Sequence, residues 1–165
     1  MNYFAYGSNM ANNRIRERVP STRFVGVYTL MKHVLRFHKV WRDESAKCNA
    51  FYTGSDSDII EGVIFDVNPK EVIALDRAED LGKGYIKKNV KVSNFRGDWI
   101  EAFTYFAIEI DDSLLPFSWY KNHVLLGAKK AGLSAEYIAK IENVKAFKDP
   151  NQDREKREFA IHQEQ

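Results

Sequence analysis

The fold prediction starts from the stretch Tyr3-Phe4-Ala5-Tyr6-Gly7-Ser8-Asn9-Met10. Its first four residues are apolar or aromatic and predict a short buried strand. Gly7-Ser8-Asn9 predicts a tight turn, because Gly tolerates positive φ and Ser and Asn bond to nearby backbone groups. The segment 10–19 then predicts a short helix capped by Ser8 or Asn9. Such a strand, turn and helix would direct backbone N–H groups at a negative oxygen, although spacing alone favours a strand that simply ends in a turn.

Composition and charge restrict the class of protein. The 165 residues are 44% hydrophobic and 29% charged with a formal net charge of +2, which is typical of one globular domain and favours neither nucleic acid nor an anionic membrane as partner. The single cysteine, Cys48, suits a reducing compartment, and we expect a cytoplasmic protein. We expect no signal peptide and no membrane span, because no basic segment precedes an apolar run and no long apolar run occurs.

Strand patterns dominate the middle of the chain and helix patterns its edges. The apolar segment 24–41 exceeds one strand and should bend near residues 31–33 or form two strands. Asn68-Pro69 predicts a helix start, and residues 85–107 predict a hairpin around Gly97. We therefore expect an α+β fold with a curved or barrel-like, mostly antiparallel sheet. Residues 1–147 should form a single domain, followed by a charged tail or peripheral helix at 148–165.

Glu79 is the candidate general base. It falls at the C-terminal end of the helix that Pro69 begins, where the helix dipole and any burial favour the protonated form of a carboxyl group. A carboxyl group poised in this way can shuttle protons near neutral pH. The alternative is a solvated glutamate beside Asp76 and Asp80, and position alone favours that alternative.

Other catalytic classes lack their sequence patterns. Cys48 has no neighbouring histidine, and the four histidines have none of the spacings that build a metal site. The chain also has no nucleophile elbow, phosphate loop or dinucleotide fingerprint. We therefore expect neither a metal nor a cofactor. Tyr105 and Tyr120 could donate hydrogen bonds into a pocket, although aromatic residues in strands and helices more often belong to the core.

Several motifs taken together resemble those of the gamma-glutamylcyclotransferase family in order and spacing, over roughly residues 1–140. They are Tyr3 to Met10, Leu75-Asp76-Arg77-Ala78-Glu79, the strand that contains Tyr105, Pro116 to Tyr120, and Gly127-Ala128-Lys129-Lys130-Ala131-Gly132-Leu133. The resemblance implies a small, mostly antiparallel mixed β-barrel with flanking helices. One departure is Asp80, because members of the family often have Gly directly after the glutamate.

The resemblance also implies an activity and a set of site residues. The reaction would release 5-oxoproline and a free amino acid or amine from a gamma-glutamyl substrate, without metal or cofactor. Glu79 would be catalytic, and the substrate-binding residues would be Tyr3, Phe4, Ala5, Tyr6, Gly7, Ser8, Asn9, Tyr105 and Tyr120. A homodimer remains open. The alternative is a non-catalytic protein of this fold that binds a gamma-glutamyl-like or amine metabolite.

Overall fold

A computed structural model describes residues 1–163 of the chain. Five strands close a barrel in the order β1-β5-β2-β6-β7, and β3 and β4 form a separate two-stranded sheet. The strands are β1 Asn2–Ala5, β2 Arg23–Met31, β3 His33–Val40, β4 Ala46–Tyr52, β5 Ile59–Asp66, β6 Tyr85–Ser93 and β7 Trp99–Ala107. The predicted α+β fold with a small, mostly antiparallel barrel is confirmed, and the 85–107 hairpin is β6 and β7.

Helices surround the barrel. They are α1 Asn12–Arg18, α2 Val72–Ala78, α3 Ser118–Ala131, α4 Ala135–Glu142 and α5 Gln152–Ala160, with 3₁₀ turns at Ser8–Met10 and Pro69–Glu71. The predicted start at Pro69 is therefore a 3₁₀ turn that leads into α2. The Asn68 side chain accepts a hydrogen bond from the Lys70 N–H at 3.0 Å and caps this turn.

Two local predictions are refined by the structure. The segment 24–41 forms two strands in different sheets, because Lys32 adopts a left-handed conformation with φ of 63° and turns the chain. The predicted cap of the first helix is wrong: α1 begins after Ala11, which supplies no side-chain cap. Ser8 and Asn9 instead form the 3₁₀ turn, and the Asn9 amide is used elsewhere.

The barrel consists of two well-paired groups of strands joined at two short junctions. β1 and β2 both pair extensively with β5, and β6 pairs with β7 along its whole length. The register between β1 and β7 contains only Tyr3↔Phe103, and that between β2 and β6 only Thr29↔Ser93. Side chains add to the β1–β7 junction, where Asn2, Thr104 and Tyr6 donate hydrogen bonds to carbonyl oxygens across it.

Two glycines permit close packing around the first strand and its turn. A Cβ atom on Gly62 of β5 would lie 2.6 Å from the Ala5 carbonyl oxygen. A Cβ atom on Gly127 of α3 would lie 2.5 Å from the Ala11 nitrogen and 2.6 Å from the Met10 carbonyl carbon. Both distances are far below van der Waals contact, so α3 can approach the 3₁₀ turn only because residue 127 lacks a side chain.

The C-terminal segment contains the helix α5, which contacts α1 and α3. Glu158 on α5 accepts a hydrogen bond at 2.6 Å from Arg14 on α1 and lies 2.7 Å from Nε2 of the fully buried His123 on α3. Nδ1 of His123 lies 2.5 Å from Nε2 of His162. Within the segment 148–165, residues 152–160 form α5, and residues 164–165 lie outside the described part.

This cluster predicts a loss of stability in acid. Burial lowers the pKa of His123 to about 4, so protons bind the unfolded chain more readily than the folded one between pH 6.5 and 4. Burial raises the pKa of Glu158, but His123 and Arg14 lower it by more. The pKa of Glu158 is therefore lowered to about 2. One pKa unit corresponds to about 1.4 kcal/mol, so acidification to pH 4 should cost roughly 3 kcal/mol through His123.

Denaturant unfolding at several pH values measures this effect. We expect His123→Gln to flatten the decline between pH 6.5 and 4, whereas His33→Gln, outside the cluster, should leave the slope unchanged. An equally steep decline in the His123 variant would assign the acid sensitivity to other groups.

Candidate active site

A small cavity lies where β1 ends, between the barrel, the β3–β4 sheet, α2 and α3. Its lining is dominated by tyrosine hydroxyls and short polar residues, and it contains one carboxylate. The lining residues are Tyr3, Tyr6, Gly7, Ser8, Asn9, Cys48, Glu79, Tyr85, Tyr105 and Tyr120. Most of the residues expected from the sequence therefore converge on one cavity.

Glu79 caps the C-terminus of α2, and its backbone N–H donates to the Leu75 oxygen at 2.9 Å. Its Oε1 accepts hydrogen bonds from Asn9 Nδ2 at 3.0 Å and from Arg18 Nη1 at 3.1 Å. Sequence reasoning considered the helix dipole and burial, which favour a proton. The structure adds the Arg18 guanidinium group, which forms an ion pair with Glu79 and orients its carboxyl group.

Asn9 connects the turn to the carboxylate. Its Nδ2 also donates to Tyr3 Oη at 3.0 Å, and its Oδ1 accepts from Arg18 Nη1 at 2.8 Å. Tyr3 Oη is an acceptor in this contact, so its own proton remains available. The network fixes the orientation of Glu79 Oε1 and leaves Oε2 without a partner among residues 1–163.

The turn also presents backbone donors. Gly7 and Ser8 begin the 3₁₀ turn, where N–H groups lack partners from within the turn. Neither amide makes a hydrogen bond within the described chain. A Cβ atom on Gly7 would lie 3.0 Å from the Cys48 Cβ and 3.5 Å from Tyr120 Oη, so glycine lets this turn approach β4.

Two tyrosines are anchored to the backbone of Cys48. Tyr120 Oη on α3 accepts from the Cys48 N–H at 3.0 Å, which leaves the hydroxyl proton free. Tyr85 Oη on β6 donates to the Cys48 oxygen at 2.7 Å, which leaves lone pairs free. Burial raises the pKa of the Cys48 thiol to about 12, so this cysteine is a neutral wall of the cavity at physiological pH.

Three of the predicted substrate-binding residues are placed differently from the rest. Phe4 and Ala5 are fully buried in the core and do not line the cavity. Tyr105 lines it, but its hydroxyl donates to Asp76 Oδ1 at 2.8 Å. Because Asp76 precedes Glu79 on α2, Tyr105 links β7 to the helix that carries the glutamate.

Sequence reasoning missed Tyr85, Arg18 and the position of Cys48 in the cavity. Tyr85 is the first residue of a strand of alternating polarity, and nothing in the sequence indicates that it lines a cavity. Arg18 resembles any charged residue at a helix end. Asp80 adopts a left-handed conformation with φ of 51° and forms an ion pair with Arg42 at 2.7 Å. Its side chain is therefore engaged away from the cavity.

Two negative observations apply to the described residues. Residues 1–163 contain no cluster of three or more His, Cys, Asp or Glu side chains arranged to hold a metal ion. No helix in the same range combines the length and the apolar character needed to cross a bilayer.

Comparisons with known proteins identify the family. The model of the AIG2-like family matches residues 59–141. A gamma-glutamylcyclotransferase of Mus musculus is 32% identical over 154 residues, covering 91% of this chain and 79% of the mouse protein. The chain belongs to the gamma-glutamylcyclotransferase family. A gamma-glutamylcyclotransferase of Bos taurus is 32% identical over 146 residues, covering 86% of this chain and 77% of the bovine protein. A solved gamma-glutamyl cyclotransferase structure superimposes with a TM-score of 0.83 at 28% identity, covering 94% of this chain and 98% of that chain.

The resemblance inferred from the sequence motifs is thus confirmed, and the structure gives the motifs physical roles. In this gamma-glutamylcyclotransferase family member, the first motif forms β1 and the turn that lines the cavity. The second motif places Glu79 at the end of α2. Gly127, from the last motif, brings α3 against the turn and so brings Tyr120 to the cavity.

Proposed function

We propose that this protein is a gamma-glutamylcyclotransferase that releases 5-oxoproline and a free amino acid or amine from a gamma-glutamyl substrate. The observation that carries the proposal is the position of Glu79, a carboxylate that lines a cavity together with Gly7 and Ser8, whose amides make no hydrogen bond within residues 1–163. The membership in the family supports it. We include a cytoplasmic location in the proposal, since Cys48 is a free thiol.

The reaction joins two groups of one molecule. The substrate's α-amine attacks its own γ-carbonyl carbon, a five-membered lactam forms, and the bond to the leaving amine breaks. The protein therefore has to select the folded rotamer in which amine and carbonyl meet. Well-oriented intramolecular reactions reach effective molarities of roughly 10⁵–10⁸ M, so positioning in a narrow cavity supplies much of the acceleration.

Proton transfer requires a group that first accepts and then donates. The α-ammonium must lose a proton before the amine can attack, and the leaving amine must gain one. Glu79 suits both steps, since Asn9 and Arg18 hold its Oε1 while its Oε2 has no partner within residues 1–163. The proton taken from the α-amine can then pass to the departing nitrogen.

The carbonyl oxygen gains negative charge during the attack. The N–H groups of Gly7 and Ser8 are suited to stabilise it, because both residues line the cavity and neither amide makes a hydrogen bond within the described chain. Loss of one such donor costs about 3–4 kcal/mol in other acyl-transfer sites. The Tyr3 and Tyr120 hydroxyl protons are free to donate to the substrate's α-carboxylate or amide.

The two predicted pocket tyrosines should differ in their effects. Tyr120→Phe removes a free donor and leaves the Cys48 N–H buried without an acceptor, so we expect kcat/KM to fall by about 10–100-fold. Tyr105→Phe removes only the contact with Asp76, and we expect a loss below about tenfold. Steady-state kinetics measures kcat/KM of both variants. An equal or larger loss of kcat/KM in Tyr105→Phe would indicate that Tyr105 binds the substrate directly.

Release of 5-oxoproline tests the proposed function. The purified protein is incubated with several gamma-glutamyl dipeptides, a gamma-glutamylamine and glutathione, and enzyme-free samples measure spontaneous cyclisation. We expect release above this background from at least one compound. Absence of release from all of them, with a folded protein that binds one, would instead support a non-catalytic binding protein.

A further inference from the structure

Helix α1 carries two arginines one helical turn apart, and each of them is paired with a carboxylate from a different helix. Arg14 Nη1 donates to Glu158 Oε2 on α5 at 2.6 Å, and Arg18 Nη1 donates to Glu79 Oε1 at the end of α2 at 3.1 Å. Residues four apart lie on the same face of a helix, where like charges repel each other. Helix α1 is therefore held between Glu79 on one side and α5 on the other.

Arg14 is the more deeply buried of these two arginines. Its side chain is 11% exposed, against 24% for Arg18. Burial lowers the pKa of Arg14, with Arg18 acting in the same direction and Glu158 against it. Buried charges are normally paired with opposite charges, and within residues 1–163 Glu158 is the only carboxylate that forms an ion pair with Arg14. The position of α1 thus depends on the charge of Glu158.

A second contact joins α5 to the same turn of α1. Asn13 Nδ2 donates to the oxygen of Ile161, which caps the end of α5, at 3.0 Å. Asn13 and Arg14 lie in the chain between Asn9 and Arg18, the two residues whose side chains hold Glu79 Oε1. Helix α5 therefore anchors the first turn of α1, and the residues on both sides of that turn orient the glutamate.

Loss of the Glu158 charge would displace this turn. Arg14 would be left buried without an anion, so the first turn of α1 has to move toward solvent, where the guanidinium group can be hydrated. Asn9 and Arg18 flank the turn and would move with it, which releases Oε1 of Glu79. Small displacements of a reacting group lower turnover strongly, because the reaction requires an aligned geometry.

We propose that Glu158 is a positioning residue that fixes the orientation of Glu79 through Arg14 and α1. This inference rests on the proposed function, and it assigns a part in the reaction to the helix α5. Glu158 does not line the cavity, so it acts on the reaction only through the residues that it holds.

Steady-state kinetics of a double-mutant cycle tests the inference. We expect Glu158→Gln, which keeps the shape of the side chain but removes its charge, to lower kcat by about tenfold. In an Arg18→Met background the same substitution should lower kcat by no more than about threefold, because one of the two contacts that Glu158 maintains is already absent. Glu158→Asp retains the charge and should recover part of the loss.

Glu155→Gln is the matched control for Glu158→Gln. Glu155 lies on the same helix, but its Oε1 accepts from Ser118 Oγ on α3 at 3.1 Å. We expect this variant to leave kcat within about twofold of the wild type, in the presence or absence of Arg18. Unfolding temperatures of all variants identify the assay temperature at which each is folded. If Glu158→Gln does not fold, Arg14→Met removes the other partner of the ion pair and takes its place in the cycle, with the same expectation.

The cycle separates positioning from a purely structural role. A destabilising substitution that acts independently of Arg18 lowers kcat equally in both backgrounds, and this result overturns the inference. Wild-type kcat in Glu158→Gln also overturns it. If the wild type releases 5-oxoproline from no gamma-glutamyl compound, the proposed function fails, and NMR spectra then test the positioning alone. The side-chain amide signals of Asn9 and the guanidinium signals of Arg18 should shift in Glu158→Gln but not in Glu155→Gln, and unchanged signals in Glu158→Gln overturn the inference.

Discussion

Glu79→Gln is expected to lower kcat by roughly 10²–10⁴-fold, the range typical of general acid–base catalysis. An amide cannot accept the proton of the α-ammonium, so neither attack nor departure of the leaving amine is assisted. Gln retains an Oε1 atom that can accept from Asn9 and Arg18, which preserves the hydrogen bonds observed for the glutamate. We therefore expect nearly unchanged unfolding temperature and substrate Kd, measured by thermal denaturation and calorimetry.

Asp80→Asn is the matched control for this variant. It neutralises the neighbouring carboxylate, which pairs with Arg42 away from the cavity. Turnover of Asp80→Asn should stay within a few-fold of the wild type. Residual kcat near the wild-type value in Glu79→Gln would remove the glutamate from the mechanism, whereas a large loss in the control would require Asp80 as part of it.

Gly127→Ala is expected to destabilise the protein and to reduce activity at the same time. The added Cβ atom would meet the backbone of Met10 and Ala11 at less than van der Waals distance, so α3 and the 3₁₀ turn must separate. Overpacking of this kind costs about 1–3 kcal/mol. Asn9 belongs to the same turn and holds Glu79, so the displacement should lower kcat as well.

Gly127→Ala should change the free energy of unfolding in the direction opposite to that of an ordinary Gly-to-Ala replacement in a helix. In an unconstrained helix interior, replacement of Gly by Ala stabilises by about 1 kcal/mol. Denaturant unfolding of Gly127→Ala should give the opposite sign, while Lys130→Ala on the exposed face of α3 should remain close to the wild type. A stabilised, fully active Gly127→Ala would show that α3 and the turn can separate without consequence.

The features of the site that could be predicted are those formed by residues close together in the sequence. A short aromatic run followed by Gly-Ser-Asn indicates a strand and a turn without knowledge of the fold, and Asn68-Pro69 places Glu79 near a helix end. Contacts between distant segments had no such signal. Arg18, Asn9 and Glu79 meet only after α1 and α2 have packed together, and nothing near Glu79 in the chain indicates a guanidinium group.

The sequence also does not show which face of a strand each residue of the motif occupies. Phe4 and Ala5 belong to the same motif as Tyr3 and Tyr6, yet they are fully buried in the core and do not line the cavity. Tyr85 and Tyr105 occupy the two strands of one hairpin, and the sequence pattern does not show which hydroxyl is anchored to another strand and which to α2. These assignments depend on the register of the closed barrel.

The short register of the β1–β7 junction has a consequence for how the barrel is closed. The β6–β7 hairpin is paired along its whole length, yet one register pair joins it to β1 and one joins it to β2. Side chains supply further links, because Asn2, Tyr6 and Thr104 donate hydrogen bonds to carbonyl oxygens across the β1–β7 junction. Tyr6 also lines the cavity, so a substitution at this position would change the cavity and the closure of the barrel together.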